Sequence, residues 1–108
     1  MGPSKAESDV SDAALLQALK ALSDPTRFRM IQEISEAGEL NCSEVAERFD
    51  VSQPTVSHHL KVLMQAGLLV QRTEGKHHYT SVNQALLTNL MAELPKRLSG
   101  TTPKRKRV

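Results

Sequence analysis

Ser52-Gln-Pro-Thr-Val-Ser-His-His-Leu60 is the stretch on which the fold turns. Ser52 is a helix-capping residue type, because its hydroxyl can accept a bond from an orphaned N–H of the first turn. Val56, Leu60 and Leu63 recur at the i, i+4, i+7 spacing that gathers side chains on one helical face, and Gly67 closes the helix. Gln53, Thr55, Ser57, His58 and Lys61 are left on outward or flanking positions. Just upstream, Val45, Ala46 and Phe49 supply the apolar side of a short helix from about Ser43 to Arg48, with Asp50-Val51 as the turn. A short helix, a tight turn and a longer helix with a polar outer face form the pattern of a helix-turn-helix.

Working outward, Leu68–Thr73 and His77–Val82 are rich in strand formers and are separated by Glu74-Gly75-Lys76, which suits a hairpin. Beyond it, Asn83 can cap a last helix. Leu86, Leu90 and Leu94 form one of its ridges and Leu87 and Met91 a second, until Pro95 stops or kinks it. Toward the N-terminus, Asp24-Pro25 pairs a cap with a proline at the first helical position, and Phe28, Ile31 and Ile34 mark a buried stripe ending at Gly38. Before that, Ser11 or Asp12 opens a first helix carrying Leu15, Leu16, Leu19 and Leu22. The expected fold is mainly α with a small β component: a winged helix-turn-helix in the order α-α-α-α-β-β-α.

At 108 residues the chain has room for one domain, against the roughly 100–200 residues usual for each. That domain is expected over 11–98, flanked by disordered segments at 1–10 and, with its basic run Lys104-Arg-Lys-Arg107, at 99–108. No apolar stretch approaches the roughly 18 residues that span a bilayer, and residues 1–20 lack a secretory signal, so a cytoplasmic protein with no membrane partner is expected. The single cysteine, Cys42, cannot form an internal disulfide or a four-cysteine zinc site. With no Trp, one Tyr and two Phe, few rings are available for stacking on single-stranded bases.

Charge is informative by position. Without the terminal basic run the chain is net acidic, yet between Asp50 and Glu93 the only acid is Glu74, and that window holds Lys61, Arg72, Lys76 and all four histidines. This is a local footprint for an anionic partner. A recognition helix buries one face and presents short polar groups near its N-terminus to the major groove. Gln53, Thr55, Ser57 and His58 fit that requirement, with Lys61 placed for a phosphate. On the hairpin, Arg72, Lys76, His77 and His78 bracket Gly75, where positive charge would follow the adjacent groove or backbone. Double-stranded DNA is therefore the expected partner. His59 could instead be an ordinary structural histidine beside the turn. No glycine elbow, oxyanion-hole motif or orienting acid accompanies Cys42 or Ser57, so an enzyme is not expected.

Asp24-Pro-Thr-Arg-Phe-Arg29, Ser52-Gln-Pro-Thr-Val-Ser-His-His-Leu60 and Ala66-Gly-Leu-Leu-Val70, in this order, resemble the ArsR/SmtB family of bacterial winged-helix repressors. The resemblance spans about residues 12–95 and implies a homodimer that releases operator DNA when an effector arrives. A chain this small has little core with which to cover both outer helices. Leu15, Leu16 and Leu19 of the first helix and Leu86, Leu87, Leu90, Met91 and Leu94 of the last are therefore the expected dimer interface, and a pseudo-palindromic operator follows. The family's metal sites are not expected. Its thiolate sensors carry Glu-Leu-Cys-Val-Cys-Asp where this chain has Glu39-Leu-Asn-Cys-Ser-Glu44, which puts Asn41 and Ser43 at the ligand positions. The other family site uses Asp and His on the last helix, and residues 83–98 contain neither. Adjacent histidines at His58-His59 and His77-His78 point apart, in a helix as in a strand. No cofactor is expected, and the sequence names no effector.

Overall fold

The computed structural model describes residues 10–99, so the segments expected at 1–10 and 99–108 lie outside it except for Val10 and Ser99. Five helices and a three-stranded antiparallel sheet follow in the order α1 (Asp12–Leu22), α2 (Pro25–Ala37), β1 (Leu40–Asn41), α3 (Cys42–Arg48), α4 (Gln53–Gln65), β2 (Leu69–Glu74), β3 (His77–Val82) and α5 (Gln84–Ser99). The architecture is the expected winged helix-turn-helix with one element added. That element, β1, pairs with β3 through Leu40↔Thr80 and Asn41↔Tyr79, giving the sheet order β1-β3-β2. Two residues are too few to show an alternating pattern. What holds β1 in place is tertiary: buried Thr80 donates its hydroxyl to the Leu40 carbonyl at 3.0 Å.

Each helix start has a side-chain cap. Ser11 accepts from the Ala14 N–H, Asp24 from Arg27, Ser52 from Thr55 and Asn83 from Leu86. At α3 the cap is reciprocal, Asn41 accepting from the Glu44 N–H at 2.8 Å while the Glu44 carboxylate accepts from the Asn41 N–H at 2.9 Å. The core gathers Leu15, Ala18 and Ala21 of α1, Met30, Ile31 and Ile34 of α2, Val45 and Phe49, then Val56, Leu60 and Leu63 of α4, with Leu68, Leu69 and Leu90. Gly67 turns the chain out of α4 with φ 82°. There Leu68 N–H returns to the Leu63 carbonyl at 3.0 Å, and the Asn83 amide donates to the Gly67 carbonyl at 3.1 Å.

One local expectation is corrected and one left open is settled. Phe28 is 49% exposed and does not belong to the α2 stripe, whose third member is fully buried Met30. On a helix Phe28 falls about a third of a turn from the centre of the face that Met30, Ile31 and Ile34 define. Of the two outcomes left open at Pro95, a stop is excluded, since α5 continues to Ser99. The proline forfeits one backbone bond, but the turn beyond it is tied to α1 by Arg97, which meets Asp12 at 2.7 Å and Glu93 at 2.6 Å and also donates to the Val10 carbonyl.

Candidate nucleic-acid interface

With Val56, Leu60 and Leu63 packed inward, α4 leaves Gln53, Thr55, Ser57, His58 and Lys61 exposed. They are not equally available. The Gln53 amide donates to the Ser43 hydroxyl at 3.3 Å, and the Thr55 hydroxyl lies 3.0 Å from that of Ser52. Among the described residues, Ser57 and Lys61 have no side-chain partner, and His58 has only a tilted ring contact with His59 at 5.9 Å. The middle of the outer face is therefore open, while its N-terminal edge is braced against α3.

The wing divides its charges differently from expectation. Glu74 pairs with His77 in the β2–β3 register, leaving Gly75-Lys76 as a two-residue loop with Gly75 at φ 61°. A positive φ at the first central position is the demand of a type II′ hairpin turn, which glycine meets without strain. Lys76 projects from this tip with no partner among the described residues, and exposed His77 beside it has only a ring contact with Tyr79 at 6.0 Å. His78 is held by the Thr73 hydroxyl at 3.1 Å. Arg72, by contrast, is turned onto the protein. Its guanidinium forks onto Glu39 at 2.6 and 3.2 Å, reaches Glu74 at 2.8 Å and stacks over the Tyr79 ring at 4.8 Å. Those bonds to Arg72 hold the Glu39 carboxyl below its ordinary pKa.

His59 stands apart from the outward set. It is half-buried, with Nδ1 3.3 Å from Arg27 Nη1, and burial lowers its pKa more than nearby Asp24 raises it. Arg27 also donates Nε–H to the Ala21 carbonyl at 2.8 Å, tying the end of α1 to the start of α2. A structural place for His59 was an open expectation, but its Arg27 partner, the Arg72–Glu39 pair and Arg29 stacking over Phe49 at 5.0 Å were not foreseen. Each joins positions from separate elements, and no local pattern encodes such a meeting.

At the start of α3, Asn41 is spent on the capping box and Ser43 on the Gln53 amide. Cys42 is partly buried between them, its Sγ 4.0 Å from the Gln53 carbonyl, and burial pushes its thiol pKa up, which disfavours the thiolate. Among the described residues, no three His, Cys, Asp or Glu side chains converge as metal ligands.

Of the leucine set on α1 and α5, Leu15 and Leu90 are 3% and 2% exposed inside the protomer. They are core residues of their own chain and have little area left to offer. Leu19, Leu86, Leu87 and Leu94 are half-buried, while Leu16 is 63% and Met91 45% exposed. Leu98, in the last turn of α5, adds a further exposed leucine at 76%.

A helix-turn-helix domain model matches residues 22–72. The transcriptional repressor SdpR of Bacillus subtilis is 40% identical over 68 residues, covering 63% of this chain and 74% of that protein. An arsenical resistance operon repressor of Staphylococcus aureus is 38% identical over 76 residues, covering 70% of this chain and 72% of its own length. Among solved structures, an ArsR-like transcriptional regulator from Rhodococcus sp. RHA1 superposes with a TM-score of 0.72 at 28% identity, covering 81% of this chain and 80% of its own.

Proposed function

Because the chain belongs to the ArsR/SmtB family of winged-helix, DNA-binding transcriptional repressors, we propose that it binds a pseudo-palindromic operator as a homodimer, with α4 reading bases and the wing tip resting on the backbone. The observation that carries this reading is the outer face of α4. Among the described residues, exposed Ser57 and Lys61 have no side-chain partner and exposed His58 meets only the His59 ring, on a helix whose opposite face is locked into the core. A serine hydroxyl and an imidazole N–H suit base edges in the major groove, and Lys61, farther along the helix, suits a phosphate. Gln53 and Thr55 contribute from the braced N-terminal edge. On the wing, Lys76 and His77 are the backbone contacts, and Arg72 is a strut that aims the hairpin.

An apolar groove of about 290 Å³ between α1 and α5, lined by Leu15, Leu16, Leu19, Leu94 and Leu98, supports the dimer. Two copies related by a twofold axis would cover these leucines and set the recognition helices about one or more DNA turns apart. No helix among the described residues is long and apolar enough to cross a membrane, and a regulator of this kind works beside DNA in the cytoplasm. Repression here is independent of thiophilic metals, since Asn41 and Ser43 perform structural tasks at the positions where thiolates would be needed.

Selection of bound fragments from random duplex DNA tests the whole reading. Recovery of a palindromic sequence with two half-sites is the expected result. Enrichment of no sequence, or of a single half-site, would overturn it.

A further inference from the structure

A cleft of about 370 Å³ opens where α1, the start of α2 and the later turns of α4 meet, lined by Gln17, Lys20, Ala21, Arg27, Val62 and Gln65. Its lining holds two cations and two primary amides and no carboxylate. Arg27 is pre-set by its bonds to the Ala21 carbonyl and to His59, which leave its Nη2 group without a partner among the described residues. The Lys20 ammonium likewise has none. Asp24 caps α2 through the Arg27 N–H at 3.0 Å, and its carboxylate also feels the Arg27 charge, so Arg27 is shared between that acid and the cleft. Across the cleft, the Gln17 amide reaches the Gln65 carbonyl at 3.3 Å, near the long limit for such a bond.

A planar guanidinium fork, a mobile ammonium and adaptable amides around a small apolar wall are the donor set for an oxyanion on a small organic body. The volume falls at the lower end of the roughly 300–1,000 Å³ usual for small-molecule sites. We propose that this cleft binds a small metabolite through a phosphate or carboxylate group, and that the metabolite is an effector of the operator binding proposed above, on which the effector role rests. One wall is α4, which reads the DNA, and another is α1, whose Leu16 and Leu19 line the dimer groove. An anion held by Lys20 and Gln65 bridges these two helices, and it couples to DNA where that bridge fits the free and DNA-bound forms differently.

The site is tested first without DNA, by following the Gln17 and Gln65 side-chain amide resonances while titrating inorganic phosphate, then citrate, against sodium chloride of equal ionic strength. Saturable shifts are expected with at least one of the two anions, weakened about tenfold in Lys20→Gln and unchanged in Lys96→Gln, which removes an exposed cation of α5 away from the cleft. Shifts that merely follow ionic strength overturn the site. The effector role is then read on the selected operator: the anion that bound should change its Kd several-fold in the wild type and not in Lys20→Gln. An unchanged Kd overturns that role. If Lys20→Gln weakens every duplex without added anion and flattens the salt dependence by about one counterion, the cleft is a DNA-backbone contact and the proposal is wrong. Failure to bind any duplex would count against the repressor reading alone, since the first titration is made on the free protein.

Discussion

Arg72 and Lys76 lie four positions apart on one hairpin and have opposite fates. Arg72 is held by Glu39 and Glu74, whereas Lys76 has no partner among the described residues. A cation already paired twice releases no counterions from DNA unless it breaks those pairs. Lys76→Gln should therefore flatten the salt dependence of binding by about one counterion on all duplexes alike, while Arg72→Gln leaves that slope unchanged. Equal flattening by both variants would show that Arg72 lets go of Glu39 to meet a phosphate. Ser57→Ala or His58→Ala should instead cost roughly 1–3 kcal/mol on the operator and relax preference at one base pair of each half-site. At this scale the exposed position of Ser57 was legible, because the apolar stripe of its own helix sets it. The sequence was silent where the partner comes from another element: nothing near Arg72 in the chain announces Glu39. His59 makes the same point through pH. Burial holds its folded-state pKa below the ordinary 6.5, so the unfolded chain takes up the proton first as pH falls. The His59 contribution to stability is fully present above about pH 6.5 and is lost as pH falls through the lower folded value. Denaturant midpoints of the wild type should decline on acidification from pH 6.5, and His59→Asn should flatten that decline.

The elements were legible wherever a period or a cap marks them. The α4 stripe, the Asp24-Pro25 start and the Asn83 cap stand in the structure as their residue types suggest. β1 was not legible, and the course of α5 beyond Pro95 was left open, for physical reasons that differ. β1 is created by its pairing with β3, whereas the end of α5 survives its proline because Arg97 bonds across to Asp12. α3 shows how an element can trade one chemistry for another. Asn41 opens a helix of only 7 residues with a reciprocal cap, and Asn41→Ala should cost about 1 kcal/mol in chemical denaturation. The same commitment leaves no thiolate pair, while a regulatory metal site needs at least three converging ligands. Operator binding should therefore be insensitive to stoichiometric zinc, cadmium or arsenite, and Cys42→Ser should leave regulation intact. Release at one ion per subunit, lost in Cys42→Ser, would reveal a site that the described residues do not assemble. At the other end of α4, Gly67→Ala would strain a φ of 82° and bring a Cβ to 2.8 Å from Leu86 Cδ2. The leucine tip can move aside but the backbone cannot, so a loss of about 1 kcal/mol or more is expected, chiefly from φ.

At the scale of the molecule, the question is what covers α1 and α5. Both helices already give residues to the protomer core, Leu15 from one and Leu90 from the other. What remains outside is Leu16, Met91 and Leu98, beside a groove whose lining is mostly leucine. Arg97 lines that groove too and joins Asp12 of α1 to Glu93 of α5, which holds the two helices in fixed relation. A rigid, leucine-lined surface on a DNA-binding chain suits a second copy, because one interface then buries the patch twice and doubles the bases that can be read. Leu16 and Leu98 are exposed enough that Leu16→Glu and Leu98→Glu should leave the protomer folded, whereas either places a carboxylate in the proposed apolar contact. Each variant should therefore sediment as a monomer at micromolar concentration, where the wild type should sediment as a dimer. Each should also lose most of its affinity for a two-half-site operator while keeping weak, salt-sensitive binding to a single half-site. Two further measurements make the argument harder to satisfy by accident. The wild-type melting temperature should fall on dilution, as linkage to association requires, and the monomeric variants should melt independently of concentration. A wild type that stays monomeric at micromolar concentration and still binds its full operator tightly would remove the twofold axis from the account, leaving the exposed leucines for a different partner.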